Sequence, residues 1–247
     1  MKELGKHITR NLYGFYRRTA ELCGYETGHI GGLEYVWNRS GSWPSYVLGV
    51  PEPSKIPEIM NAIRQGKVPP FWILEQTGGE EIRLLEEAGV RVIREWKGMA
   101  MEKHAAVPVG RNHDFGIRTN DPDTMNDWLQ IVNTELMTGA QISDGFLNRI
   151  SSSVAFQWKV AYMDDQATGA GLSFAEDGVA GVYMIVTKAS FRGRGIGTQV
   201  TRNLIDHAIR SGNDTIVLHA TGQGERIYRK TGFSEVNRFS VMWYMGQ

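Results

Sequence analysis

The residues whose types and spacing best suit chemistry form one glycine-rich stretch, RGRGIGT, at positions 192–198. An apolar strand predicted over 179–187 precedes it, and a helix predicted over 198–210 follows it. The three alternate glycines allow a tight turn and let a ligand approach the main chain closely. The N–H groups of the loop and of the first helical turn converge there, and the helix dipole adds positive charge. With two arginines in the loop, the stretch predicts a site for a diphosphate or a similar anion.

Two familiar phosphate-binding loops fit this stretch poorly. The loop of nucleoside triphosphatases ends in Gly-Lys-Ser/Thr, whereas this one ends in Gly197, Thr198 and Gln199. A dinucleotide fingerprint requires G-x-G-x-x-G/A, and Thr198 stands where the third small residue belongs after Gly193 and Gly195. A glycine-rich turn with incidental arginines is the plainest alternative.

The elements that must position this loop follow from apolar periodicity and turn residues, and they indicate a mixed α/β protein. In the second half, these patterns predict helices over 121–137, 144–150, 198–210 and 225–231, and strands over 156–163, 169–175, 179–187, 215–218 and 233–244. In the first half, they predict helices over 2–22, from position 57 onward and over 80–89, and strands over 33–37, 46–50, 71–74 and 90–101.

The length of 247 residues corresponds to one large domain or two small ones, at ~150 residues per domain. The segment 102–114 has little periodicity and is the candidate linker. We therefore predict two domains, at 1–110 and 111–247.

The two halves end alike, each with a helix, a glycine and a long strand. When Gly89 is set against Gly232, Trp96 aligns with Phe239. A helix that ends in glycine before a strand is common, so chance similarity is the alternative to a structural repeat.

Two motifs in the second half carry a family resemblance. RGRGIG fits the R/Q-x-x-G-x-G/A signature by which GNAT acyltransferases hold the pyrophosphate of coenzyme A, and YRKTGF at 228–233 fits their Tyr-x-x-x-Gly-Phe. The chain over 119–247 resembles a GNAT domain, and the first half more faintly resembles the degenerate N-terminal domain of some two-domain members. The resemblance implies a mixed, mostly antiparallel sheet with flanking helices, in two tandem GNAT-like domains.

The resemblance also implies how coenzyme A would bind. The strands over 179–187 and 215–218 would splay apart, and the pantetheine arm would lie against backbone groups of Ile185, Val186 and Thr187. The pyrophosphate would lie on the loop, which consists of Arg192, Gly193, Arg194, Gly195, Ile196, Gly197 and Thr198.

The same resemblance makes Tyr228 the general acid that protonates the leaving thiolate, with a helix-packing tyrosine as the plainer reading. The alignment of the halves sets Leu85 against Tyr228, and the first half lacks the glycine signature. Only the second half is therefore expected to bind the cofactor. The first half would be a lid, a substrate wall or a dimer surface.

The sequence does not identify the general base. Some family members carry a glutamate on the strand before the loop, where this chain has Gly181. Glu176 and Asp177 fall nearby in a predicted turn, and Glu135 could face the acceptor pocket or solvent. His219 could relay a proton, although a hydrogen-bonded structural histidine is more common. A water molecule, or an amine that arrives deprotonated, would also suffice.

Aromatic and metal-binding side chains give weaker signals. The first-half residues Tyr35, Trp37, Trp43 and Tyr46 could line an acceptor pocket, but sheet packing is their more common use. The single cysteine, Cys23, and six histidines without H-x-x-x-H spacing predict no metal site.

Charge and hydropathy narrow the classes of function. Lys plus Arg and Asp plus Glu each number 27, and this zero net charge argues against a nucleic-acid or membrane-surface binder. The longest uncharged stretch, at 40–51, has 12 residues, whereas a bilayer helix needs about 20. With no signal-like segment at the start of the sequence, we expect a cytoplasmic protein.

These observations predict an N-acetyltransferase. It would move an acetyl group from acetyl-CoA to a primary amine of a small molecule or a peptide, by direct attack in a ternary complex without a metal. A non-catalytic acyl-CoA-binding sensor is the alternative, and the missing third glycine disfavours a nucleotide-binding oxidoreductase. The sequence leaves the oligomeric state undecided, with a homodimer as one candidate.

Overall fold

The computed structural model describes residues 2–107, 116–137 and 139–246, which form one eleven-stranded sheet with helices on both faces. The helices are α1 (Lys2–Cys23), α2 (Ile56–Arg64), α3 (Glu80–Glu87), α4 (Met125–Glu135), α5 (Phe146–Ile150), α6 (Ile196–Arg210) and α7 (Gly222–Lys230). The strands are β1 (Glu26–Ile30), β2 (Leu33–Trp37), β3 (Ser45–Leu48), β4 (Phe71–Glu75), β5 (Val90–Glu102), β6 (Gly116–Thr119), β7 (Phe156–Met163), β8 (Gln166–Glu176), β9 (Val179–Thr187), β10 (Thr215–Ala220) and β11 (Ser234–Tyr244).

The order of the strands in the sheet is nearly symmetric about its centre. Its strand order is β1-β2-β3-β4-β11-β5-β10-β9-β8-β7-β6. Within the described residues, β3 pairs in parallel with β4 and β9 with β10, and the other neighbouring strands pair antiparallel. The mixed, mostly antiparallel sheet with flanking helices that the sequence predicts is therefore confirmed.

The long strands β5 and β11 lie side by side at the centre of the sheet. Each has a strand of the other half as its outer neighbour, because β5 pairs with β10 and β11 pairs with β4. Their register sets Trp96 opposite Phe239, the pair that the alignment of the halves equates. The register skips Ile93 on β5 and Val236 on β11, which the same alignment also equates. The two halves thus exchange their last strands in a symmetric way.

Helix α1 belongs to the first half of the sequence but packs on strands of the second half. It contacts β8, β9 and α5, and it buries an apolar stripe that includes Ile8, Leu12 and Phe15. The amide nitrogen of the buried Asn11 side chain donates to the carbonyl of Val179 over 3.1 Å. This helix therefore fixes first-half side chains against β9.

Helix α6 covers the opposite face of the same strands. It packs closely over Gly171 of β8, where a Cβ would lie 2.7 Å from Val200 and 2.6 Å from Ile185. Small residues at this position let the helix approach the sheet, and the approach sets the height of the glycine loop above β9.

The sequence analysis did not predict two of the strands, β1 and β6. β1 contains Gly28, which resembles a chain breaker in sequence, but the ring of Tyr35 on β2 covers this glycine. A Cβ at position 28 would lie 2.6 Å from the Tyr35 hydroxyl, so the glycine serves cross-strand packing. β6 is a four-residue edge strand. Most of the candidate linker at 102–114, and the predicted domain boundary at 110/111, lie outside the described residues.

Candidate active site

The glycine loop connects β9 to α6 in a conformation that glycine favours. Gly193 and Gly195 have φ of 81° and 82°, and neither would bring a Cβ within 4 Å of other atoms. In the described part of the chain, no partner accepts from the N–H groups of Gly193, Arg194 or Gly195. The first helical turn adds further N–H groups without intrahelical partners. This cradle of donors at the positive end of a helix suits a diphosphate.

The two arginines of the loop have other partners. Arg192 donates to the carboxylate of Glu135 over 3.0 Å and to the carbonyl of Thr187 over 3.3 Å. Arg194 donates to the sulfur of Met163 over 3.4 Å, and its guanidinium lies 5.3 Å from the ring centre of Phe191. Both guanidinium groups of the loop therefore have contacts already, whereas its main-chain N–H groups have no partner among the described residues.

A groove of about 490 Å³ runs from the glycine loop along β9 to α7. Nine of the ten residues predicted to bind the cofactor line it, and Arg194 is the exception. The lining includes Ile185, Val186, Thr187, Arg192, Gly193, Gly195, Ile196, Gly197, Thr198 and, from the opposite side, Tyr228.

The groove exists because β9 and β10 separate. Their parallel pairing runs from Val179 opposite Thr215 to Val182 opposite Leu218 and ends there, although β9 continues to Thr187. Past that point, β9 pairs with β8 alone among the described strands, and Met184 has a φ of 54°. The free edge of β9 exposes backbone groups to the groove, which is the splayed arrangement that the family resemblance implies.

Tyr228 lies at the end of this groove. Its ring packs over Gly224, one helical turn earlier, where a Cβ would lie 2.7 Å from the ring. Burial raises the pKa of Tyr228 to about 12, so the phenol stays protonated near neutral pH. Its hydroxyl makes no hydrogen bond with the residues that the structure describes. The group is thus a proton donor with no acceptor in the described part of the chain.

A second cavity of about 160 Å³ meets the groove. Leu136, Ile185, Thr221 and Tyr228 line both spaces. The remaining residues around the cavity are mostly aromatic, and many come from the first half: Leu12, Phe15, Tyr16, Trp43, Tyr46, Arg94, Trp96, Met137, Val182, Tyr183, Met184 and His219. This cavity is the candidate acceptor pocket.

First-half residues therefore form a wall of the candidate acceptor pocket. Trp43 and Tyr46 line it, whereas Tyr35 and Trp37 do not. The sequence favoured sheet packing for all four residues, and Trp43 and Tyr46 both pack with the core and line the cavity. The reason is that α1 and β5 bring the first half over β9, which no local pattern reveals.

Other side chains occupy the space beside Gly181, the position at which some family members carry a glutamate. A Cβ on Gly181 would collide with the side-chain oxygen of Asn11 and with the ring of Tyr183. The hydroxyl of Tyr183 donates to that same Asn11 oxygen over 2.7 Å. An acidic side chain at position 181 would therefore require the side chains of Asn11 and Tyr183 to move.

His219 lies on β10 in the cavity wall and is surrounded by aromatic rings. The ring centres of Trp96, Tyr183 and Phe239 lie 5.9, 6.2 and 4.8 Å from that of His219. Both of its ring nitrogens are buried and have no hydrogen-bond partner among the described residues. Burial lowers the pKa of His219 to about 3, so the imidazole is neutral near pH 7. The sequence favoured a structural histidine held by a hydrogen bond at this position. In the described part of the structure, the imidazole forms no such bond.

The other acidic candidates lie outside the cavity. Glu135 lines the groove instead, where it accepts from Arg192 and, over 3.1 Å, from the backbone N–H of Ala189. Glu176 and Asp177 line a separate small pocket beside α1. Among the described residues that line the acceptor cavity there is no carboxylate, and no cluster in the described ranges could hold a metal ion.

Comparison with known proteins agrees with this geometry. Residues 123–241 match the model of a family described as the acetyltransferase (GNAT) domain. The chain resembles a solved GCN5-related N-acetyltransferase from Kribbella flavida with a TM-score of 0.70 and 16% identity, over 94% of this chain and 96% of that one. No curated protein matches the chain significantly in sequence.

Two further solved structures resemble the chain. A putative acetyltransferase of the GNAT family from Novosphingobium aromaticivorans has a TM-score of 0.59 and 13% identity, over 93% of this chain and 94% of that one. A tandem GNAT protein from the clavulanic acid biosynthesis pathway has a TM-score of 0.61 and 11% identity, over 88% and 80%. At such low identity these structures show the fold.

The family model spans both the glycine loop and Tyr228. Residues 123–241, a little under half of the chain, therefore resemble a GNAT acetyltransferase domain, and the chain as a whole shares the fold of the solved GNAT structures. None of the helices in the described ranges is long and apolar enough to cross a membrane.

Proposed function

We propose that the chain is an N-acetyltransferase that moves an acetyl group from acetyl-CoA to a primary amine, by direct attack in a ternary complex. The observation that carries this proposal is the junction of the two spaces at Tyr228, Ile185, Leu136 and Thr221. A thioester carried along the groove and an amine in the aromatic cavity would meet at that junction. Bringing two reactants together in this way removes much of the entropy cost of their encounter.

The residues of the groove fit acetyl-CoA, which supplies the thioester carbonyl that the amine attacks. The N–H groups at 193–195, which have no partner among the described residues, and those of the first turn of α6 would hold the diphosphate. The free edge of β9 at Ile185, Val186 and Thr187 would hold the pantetheine arm by backbone hydrogen bonds. A backbone N–H of this edge would also stabilise the developing charge on the carbonyl oxygen.

Tyr228 would donate the proton that the leaving sulfur requires. A thiol has a pKa of about 8.5, so a thiolate leaves more readily when a neighbouring acid protonates it. The phenol of Tyr228 is protonated at working pH and has no competing acceptor among the described residues. These two properties support its assignment as the general acid.

The acceptor amine would enter in its neutral form. An alkylamine such as that of lysine has a pKa of about 10.4, and His219, with a pKa of about 3, is too weak a base to deprotonate it effectively. The apolar, aromatic walls of the cavity instead disfavour the charged ammonium. His219 would then accept a hydrogen bond from the neutral amine.

The predicted domains at 1–110 and 111–247 take different parts in this proposal. The second half would hold acetyl-CoA, and the first half would supply the acceptor wall through α1, Trp43, Tyr46 and β5. Of the three roles considered for the first half, substrate wall has the best support. A cytoplasmic location is part of the same proposal.

Release of free thiol from acetyl-CoA, measured with a panel of amines and with mass spectrometry of the products, tests the proposal. We expect amine-dependent thiol release and a product heavier than the amine by one acetyl group. The filled position at Gly181 favours the alternative of a non-catalytic acyl-CoA sensor. Calorimetric binding of acetyl-CoA without thiol release from any amine would support that sensor. Thermal stabilisation by a nicotinamide dinucleotide, with none by coenzyme A, would overturn both.

A further inference from the structure

The candidate acceptor pocket restricts the size of its occupant. Its volume of about 160 Å³ is close to that of a cavity known to hold a benzene ring, about 150 Å³. The walls are preformed, since Phe15 stacks on Tyr183 with ring centres 4.2 Å apart and an interplanar angle of 10°. Trp43 also packs against Phe15 at 5.9 Å. The pocket would accommodate an apolar group of about the size of one aromatic ring or one branched aliphatic side chain.

The charge of the pocket restricts the occupant further. Arg94 is its one formally charged lining residue among those the structure describes, because the pKa values of Tyr16, Tyr46 and Tyr183 are raised by burial. His219 is neutral. A polyamine or an aminoglycoside needs carboxylates around its several ammonium groups, and this pocket offers a guanidinium instead.

The guanidinium of Arg94 has no bonded partner within the described ranges. It makes no ion pair or hydrogen bond with the described residues, whereas Arg91, on the same strand, donates to the carbonyls of Glu86 and Val90. Arg94 lines the pocket together with Trp96, two positions along β5 and so on the same face of the strand. It is exposed to solvent, and its charge acts on the phenol of Tyr46 at the pocket wall. A guanidinium in this position can bind a carboxylate with two parallel hydrogen bonds.

A second polar group in the wall also lacks a partner. Both nitrogens of His219 are buried and have no hydrogen bond to the part of the chain that the structure describes, and the residue lines the same pocket. A neutral imidazole has one donor and one acceptor to satisfy. An occupant that carries both a nitrogen and an oxygen group could form hydrogen bonds with Arg94 and His219, whereas a hydrocarbon could not.

We propose that the acceptor is a small amine that also carries a carboxylate, with an aromatic or branched aliphatic body between Phe15, Trp43 and Trp96 and its carboxylate on Arg94. An amino acid with an apolar side chain has this chemistry. The proposal rests on the proposed function, and it assigns Arg94 as a residue that determines acceptor specificity. Because Arg94 lies on β5, the strand exchanged between the halves would contribute to substrate specificity.

Matched acceptors test the proposal with the full chain. L-phenylalanine and 2-phenylethylamine, and L-leucine and 3-methylbutylamine, differ only by the carboxylate, and spermidine serves as a polycation. From thiol release, we expect kcat/KM to be higher for each amino acid than for its decarboxylated partner, by roughly tenfold or more, the effect of one charge-assisted hydrogen-bonded pair. Spermidine should be the poorest acceptor.

Arg94→Gln should reduce this ratio roughly tenfold, mainly through a higher KM for the amino acid. Arg91→Gln, on the same strand and outside the pocket, should leave the ratio unchanged. Equal or higher kcat/KM for the decarboxylated amines, or a ratio that survives Arg94→Gln, would overturn the inference while thiol release still supports the proposed function. Absence of thiol release with every amine would overturn both together.

Discussion

Among single residues, Tyr228 is the one titratable side chain in the described part of the chain that lines both the cofactor groove and the acceptor cavity. Its position depends on Gly224, since a side chain there would push the ring away. Burial keeps its hydroxyl protonated, and no residue that the structure describes accepts a hydrogen bond from it. The role proposed for it can therefore be tested by removing one oxygen atom.

Tyr228→Phe keeps the ring in contact with Gly224 and Phe233 and removes the hydroxyl. Because the leaving thiolate loses its proton donor, kcat should fall by about 10²-fold or more, while the calorimetric Kd for acetyl-CoA changes little. Tyr244→Phe is the matched control, since Tyr244 lies on β11 outside both spaces and its hydroxyl accepts from Arg64 on α2. A Tyr228→Phe variant as fast as the wild type would exclude Tyr228 as the acid.

His219 makes a prediction about stability and pH. Its pKa is about 3 in the folded chain and about 6.5 when unfolded, so between these values the unfolded state binds one proton more. Its contribution to stability is therefore present above pH 6.5 and is lost as the pH falls. From pH 6.5 to 5, the free energy of unfolding should fall by about 2 kcal/mol on account of this group alone.

Urea denaturation of the wild type and of His219→Gln at both pH values measures this contribution. The variant should lose less stability on acidification than the wild type, because glutamine does not titrate. His29→Gln is the control, since His29 is exposed. The same acid sensitivity in all three proteins would show that His219 is not held neutral by burial.

The sequence predicted more of the second-half residues that line the candidate site than of the first-half ones. The glycine loop and Tyr228 belong to local motifs, and the backbone of a loop between a strand and a helix is largely determined by its own residues. Asn11, Arg94 and Trp96 enter the site only because α1 and β5 pack on the other half. Such distant contacts leave no periodic signal in a single sequence.

At the scale of elements, the strands around the groove could be predicted from the sequence because both of their faces are buried. The bounds predicted for β7 and β9 match the structure, and both strands are rich in apolar residues. Helix α6 begins at Ile196 rather than at position 198, since Gly195 serves as its N-cap in a left-handed conformation. The helix dipole therefore starts two residues closer to the loop than the sequence suggested.

Gly195→Glu tests the cradle between loop and helix. At a φ of 82°, a side chain is strained, and the carboxylate would stand where the N–H groups of the loop should hold a diphosphate. We expect no calorimetric binding of acetyl-CoA. Gly145→Glu is the control, because Gly145 is also an N-cap, at a φ of 79°, but on α5 and outside the groove. Unchanged affinity in Gly195→Glu would place the diphosphate elsewhere.

At the scale of the whole molecule, the exchange of β5 and β11 joins the two halves more tightly than a linker between two domains would. The second half has β5 as the outer neighbour of β10, and the first half has β11 beside β4. A half separated from the other would expose the unpaired edge of a central, largely apolar strand, and such edges promote aggregation. The acceptor wall would also be lost, because Phe15, Trp43 and Trp96 come from the first half.

A fragment of residues 111–247 tests this dependence. It contains the glycine loop and Tyr228 but lacks β5 and α1, so β10 loses one partner and β11 loses both. We expect it to be insoluble or aggregated when expressed alone and to become soluble when co-expressed with residues 1–110, as judged by size-exclusion chromatography. β11 could take the place of β5 only by reversing its path beside β10, because β5 and β11 run antiparallel. A monomeric fragment that binds acetyl-CoA with wild-type affinity would show that the second half can close its own sheet, and the exchange would then serve the acceptor pocket rather than folding.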